Sequence, residues 1–168
     1  MNSTPLPTAD VSVETLVTMC RERGYHLATA ESCTGGMIGA TFTALAGVSD
    51  VFEGGILAYQ NRVKHRLLGV DEAILQTEGA VSAPCAEAMA RGAQQALQCE
   101  VAIAVTGIAG PGGGTPTKPV GLVYIAVAIE EHVVVEQCFF DGDRQAVRQQ
   151  TVEKALALTR ECLKKVSE

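Results

Sequence analysis

Val13, Leu16, Val17 and Cys20 repeat with the spacing of one helix face, and Gly24 follows as a stop. Residues 26–31 predict a short strand. Ile38, Thr41, Phe42 and Leu45 restore the helical spacing, with Gly47 after them. Residues 52–60 predict a second strand, and residues 61–68 a helix with Asn61 as its candidate cap. A further short helix is expected from near Asp71. Ser82 stands where it would cap a helix whose Ala86, Met89, Ala90, Ala93 and Leu97 share a face.

Residues 101–106, VAIAVT, form an unbroken apolar strand of the kind buried on both faces of a sheet. Two longer strands, 120–129 and 132–140, are separated only by Glu130 and Glu131, which predicts an antiparallel hairpin. Asp143 opens a closing helix with Val152, Leu156, Leu163 and Val166 on its buried side. Helices interleaved with strands, then one hairpin, predict an α/β fold: an α/β/α sandwich whose mixed sheet is covered on both faces. No linker or repeat interrupts the 168 residues, so a single domain over 1–168 is expected, with 1–10 a flexible tail.

Composition narrows the partners. The net charge of −6 comes without any run of Lys or Arg, which argues against nucleic acid. The longest apolar run, 122–129, is far short of the ~20 residues that cross a membrane. The first ten residues lack the basic start and apolar centre of a signal peptide, so a cytoplasmic protein is expected. The six cysteines form no Cys-x-x-Cys pair and fall in apolar or helical contexts, as reduced core thiols do. Three histidines without a metal-ligand spacing give no reason to expect a metal, and no cofactor is expected either.

In such sheets, ligands settle beyond the carboxyl ends of the strands. Two polar, glycine-rich stretches follow predicted strands: ESCTGG at 31–36 and TGIAGPGGG at 106–114. AYQNRVK, at 58–64, follows a third. The long loop lacks the Gly-Lys-Ser/Thr ending of a phosphate-binding loop and the GxGxxG spacing of a dinucleotide fingerprint. Two readings of Ser32, Cys33 and Thr34 stay open. They cap a helix, or they offer a nucleophile where free backbone amides favour a phosphate or an oxyanion.

A serine needs a base. His26 and His132 sit in strand contexts, and GxSxG and Ser-x-x-Lys are absent. Of five lysines, Lys64 follows a strand on the first turns of a helix; three others ride the final helix and Lys118 lies between prolines. Burial or the neighbouring Arg62, His65 and Arg66 would have to depress its pKa before it could act as a base. Ser32 ranks first as nucleophile and Cys33 second.

TAESCTGG, AYQNRVKHRLLGV, GAVS, VTGIAGPGGG…KPVG and GDRQAVR, in this order, resemble the CinA C-terminal domain family, which includes nicotinamide mononucleotide deamidases. The likeness runs from about residue 27 into the last helix. It implies a three-layer α/β/α sandwich on a mixed, mostly parallel five-stranded sheet. It implies hydrolysis of nicotinamide mononucleotide to nicotinic acid mononucleotide and ammonia by a Ser/Lys pair, which carries onto Ser32 and Lys64. Tyr59 and Thr106 match positions lining the family's site. The amides of Thr34, Gly35, Gly36 or Gly107 become candidates for the oxyanion, and Arg144 and Arg148 for the substrate phosphate. Self-association is common in the family, so a homo-oligomer is expected.

The chain carries Gln60 where the family commonly has Ser or Thr. The molybdopterin-binding-like domain that many members carry is not expected here, and its activity is not transferred. The competing expectations are a non-catalytic nucleotide-binding or regulatory module, and a hydrolase of another small amide that uses Cys33.

Overall fold

A computed structural model describes residues 13–166; the expected tail at 1–10 lies outside them. The elements run α1 (Val13–Arg23), β1 (Leu27–Glu31), α2 (Met37–Thr43), β2 (Phe52–Leu57), α3 (Asn61–Leu68), α4 (Glu72–Thr77), α5 (Ala83–Leu97), β3 (Val101–Gly107), β4 (Leu122–Ile129), β5 (His132–Phe139) and α6 (Arg144–Lys165). The strands form one sheet in the order β2-β1-β3-β4-β5. β1 pairs in parallel with β2 and β3, whereas β4 is antiparallel to β3 and to β5. Four strands therefore point one way and β4 the other. The expected hairpin closes with Ile129 opposite His132.

The two faces of the sheet differ in kind. Val101, Ile103 and Val105 of β3 and Val123, Ile125, Val127 and Ile129 of β4 meet α1, α2 and α6 in one core. On the other face Ala102, Ala104, Ala126 and Ala128 meet Cys85, Ala86, Met89, Ala90 and Ala93 of α5. Branched side chains fill the wider layer, and alanine lets α5 lie close against the sheet. Close approach recurs where α3 crosses α5. A Cβ on Gly92 would overlap the carbonyl group of Leu68, so only glycine admits the end of α3 there.

Several boundaries differ from the sequence reading. α2 ends at Thr43, before Leu45, and β2 ends at Leu57 rather than at residue 60. Asn61 is the first residue of α3; the cap position is Gln60, whose side chain makes no capping bond. Val166 lies beyond the end of α6 and is exposed. Asp71, Ser82 and Asp143 each accept a backbone N–H at the start of their helix. Among the described residues no helix is long and apolar enough to cross a membrane.

The order fixes where a ligand can sit. From β1 the chain passes through α2 to β2 on one side, then returns past β1 to β3 on the other. The carboxyl ends of β1 and β3 therefore flank the point where the strand order reverses, the usual crevice of an open α/β sheet.

Candidate active site

The residues after β1 form the floor of that crevice. The amide of Ser32 donates to Val105 O at 3.2 Å, which ties the two strand ends together. Gly35 and Gly36 then take positive φ of 59° and 101° to turn the chain into α2. The helix starts later than the sequence suggested. Its cap position is Gly36, and no side chain caps it there.

Glu31 supplies the missing cap from the end of β1. It is 2 % exposed. Its Oε1 accepts from Thr34 Oγ1 at 2.6 Å and from the Ile38 amide at 2.8 Å. Its Oε2 accepts from the Gly39 amide at 3.0 Å and from Thr29 Oγ1 at 3.3 Å. A buried carboxylate thus occupies the positive end of α2. Of the two readings left open for Ser32, Cys33 and Thr34, the anion site loses the amides of Ile38 and Gly39, which the protein's own acid already takes. Sequence reasoning passed over Glu31; the signal was a charged residue closing an otherwise apolar strand.

Released from capping, Ser32 faces Lys64. Nζ of Lys64 donates to Ser32 Oγ at 3.1 Å and to the carbonyl oxygen of Tyr59 at 2.9 Å. Lys64 is 1 % exposed, on the same face of α3 as buried Leu68, while Arg62, His65 and Arg66 are exposed. Burial pushes its amine below the ordinary lysine value of 10.5. Of the two causes expected, burial and the neighbouring cations, burial is the one that acts. Among the described residues its partners are neutral oxygens, a setting that favours the free amine over the ammonium.

Ser32, Tyr59, Lys64, Thr106, Gly107 and Arg144 line one cavity of about 170 Å³. That is less than the roughly 300–1,000 Å³ that encloses a drug-sized ligand. It suits the reacting end of a substrate, with the remainder outside. Cys33, Asn61, Ala80, Val81 and Ala109 complete the wall; Asn61 was expected only as a helix cap, and Ala80, Val81 and Ala109 had no expected role. Thr106, also buried, donates Oγ1–H to Ala80 O at 2.9 Å and so holds the 78–82 loop against the cavity. Tyr59 is exposed at the mouth, and its carbonyl oxygen accepts from Lys64.

The remaining expected residues are placed differently. Thr34 is fully buried with its hydroxyl on Glu31, away from the cavity wall. The Gly35 amide donates to Ser32 O at 3.1 Å. Arg144 is exposed at the cavity edge and donates to Gly110 O at 2.8 Å. Arg148 donates to the carbonyl oxygens of Cys33 and Thr34, both at 3.1 Å. Cys33 lines the cavity, but burial pushes its thiol up to about 11, so the thiolate is scarce near neutrality.

Residues 10–163 match the CinA C-terminal domain. A "CinA-like protein" of Geobacter sulfurreducens is 49% identical over 148 residues, 88% of this chain and 36% of that relative. A "CinA-like protein" of Syntrophobacter fumaroxidans is 47% identical over 138 residues, 82% of this chain and 32% of the relative. The chain thus spans about a third of the length of these curated relatives. The crystal structure of a competence/damage inducible protein from Agrobacterium tumefaciens superposes with a TM-score of 0.86 at 40% identity, covering 90% of this chain and 93% of that one. A CinA superfamily protein from Klebsiella pneumoniae gives 0.86 at 33% identity, covering 91% and 96%.

Proposed function

The chain belongs to the CinA C-terminal domain family, and on that premise we propose that it is a serine amidohydrolase converting nicotinamide mononucleotide and water to nicotinic acid mononucleotide and ammonia. The observation that carries the reading is the 3.1 Å contact between Ser32 Oγ and a buried Lys64 whose amine is shifted toward its neutral form.

A neutral lysine has two N–H bonds and one lone pair. With one N–H on Tyr59 O, the lone pair can accept the Ser32 proton across the same 3.1 Å. Ser32 Oγ then bonds to the carboxamide carbon, and the carbonyl oxygen takes the negative charge. The Lys64 ammonium returns its proton to the amide nitrogen, the C–N bond breaks, and ammonia leaves. A water, deprotonated by Lys64, attacks the ester carbon; the C–Oγ bond breaks and Ser32 recovers its proton.

Gly107, at the cavity wall, is a candidate donor to the oxyanion. The exposed Tyr59 ring offers a face for the pyridine ring. Arg144 at the cavity edge is the candidate for the phosphate. Thr106 has its proton on Ala80 O, so it can accept from the substrate amide but not donate while that bond lasts. The reading takes a small nucleotide as partner in a cytoplasmic homo-oligomer, with no nucleic acid, membrane, metal or cofactor.

Purified protein given nicotinamide mononucleotide is expected to release ammonia and the acid in equal amounts, with or without a chelator. Turnover abolished by the chelator, or no ammonia at all, contradicts the reading.

A further inference from the structure

The guanidinium of Arg148 reaches from α6 to the turn that carries Ser32. Nε and Nη2 grip the carbonyl oxygens of Cys33 and Thr34, and Nη1 donates to Gln145 Oε1 at 3.3 Å. All three of its nitrogens are therefore engaged within the protein, and the cavity edge is formed by Arg144. A trans peptide points its N–H away from its C=O. Holding those two carbonyls sets the planes of the two peptides that follow Cys33 and Thr34. Glu31 holds the same turn from the other charge, through the Thr34 hydroxyl and the first amides of α2. Thr34 is thus fixed between a guanidinium on its carbonyl and a carboxylate on its side chain, two residues after the nucleophile.

We propose that Arg148 is a positioning residue that fixes the Ser32 turn through the carbonyls of Cys33 and Thr34, rather than a ligand of the substrate phosphate. This rests on Ser32 being the nucleophile of the proposed amidase. The turn's amides are bent by two left-handed glycines, a shape that keeps little order of its own. Without Arg148, Ser32 Oγ loses its register with Lys64, and a displacement near 1 Å is enough to cost about 100-fold in rate.

The test compares Arg148→Met and Arg148→Lys with the wild type in two assays. One measures kcat and KM for nicotinamide mononucleotide. The other measures the rate at which a small sulfonyl fluoride, which has no phosphate, labels Ser32. The expected result for Arg148→Met is a loss of about 10- to 100-fold in both kcat and labelling, with KM changed less than about twofold. Arg148→Lys, which keeps the charge and one donor, falls between at an unchanged melting temperature.

A raised KM with labelling at the wild-type rate would identify a phosphate ligand and overturn the inference. So would equal losses in both variants that track a fall in melting temperature. A wild-type chain that labels at Ser32 and deamidates, beside an Arg148→Met chain that does both equally well, overturns this inference and leaves the proposed function standing. A wild type that takes no label overturns both.

Discussion

Gly92 of α5 faces the carbonyl group of Leu68 at the end of α3, with no room for a Cβ between them. The contact matters because Lys64 sits one turn earlier on the same helix. In an isolated helix Gly→Ala would gain about 1 kcal/mol. Here it must push α3 off α5, and backbone on both sides leaves little slack. Gly92→Ala is therefore expected to lower stability by roughly 1–3 kcal/mol, as overpacking does, and to reduce ammonia release by moving Lys64. Denaturant melts and a deamidation assay check both; a stabilised, fully active variant would mean that α3 is free to shift.

Gln60 occupies the cap position of α3 with extended backbone of φ −82° and ψ 149°, but its side chain caps nothing. Ser or Thr at this place would accept an amide proton of the first turn. Gln60→Ser should raise unfolding stability by about 1 kcal/mol, measured by urea denaturation, without a change in kcat. An unchanged midpoint would show that water serves the free amides of that turn equally well.

Ser32 and Cys33 are adjacent but chemically unlike. Ser32→Ala should reduce deamidation to background. Cys33→Ala removes a buried thiol held near 11 and should keep kcat within about threefold while costing roughly 1 kcal/mol of stability. If the cysteine variant is the inactive one, the nucleophile has been assigned to the wrong residue.

Stability should depend on pH through Lys64. Its folded pKa is lowered by burial, whereas the unfolded chain keeps about 10.4. Between those values the unfolded state binds more protons, so unfolding free energy rises with pH across that window. Lys64→Met should remove this rise, gain stability relative to wild type at neutral pH and lose about 10²–10⁴-fold in kcat. Parallel wild-type and variant stability profiles from pH 7 to 10 would show that Lys64 enters the fold without a proton penalty.

The layers were legible in the sequence because periodicity reports burial. VAIAVT alternates branched residues with alanine, and both of its faces are indeed covered. The pairing of Ser32 with Lys64 was reachable by elimination and by resemblance, although a helical lysine beside Arg62, His65 and Arg66 resembles a solvated face. Its place after a strand, among the other motifs, set Lys64 apart from that face. Glu31 left a signal, a charge at the end of a strand, but its cap on α2 was not legible, and neither was the grip of Arg148, since main-chain amides and carbonyls leave no trace in residue identity. The same holds for Gly92: a glycine inside a helical pattern says that something comes close, but not what.

The mechanism rests on a Lys64 amine shifted toward its neutral form and poised on Ser32, and the titration of that amine tests it directly. Lysine carbon signals followed by NMR from pH 6 to 11, with Lys64 assigned through Lys64→Met, should show this amine titrating below 10.5. The same pKa should govern the acid limb of kcat/KM. A Lys64 that titrates at or above 10.5, with activity indifferent to that transition, would contradict the account.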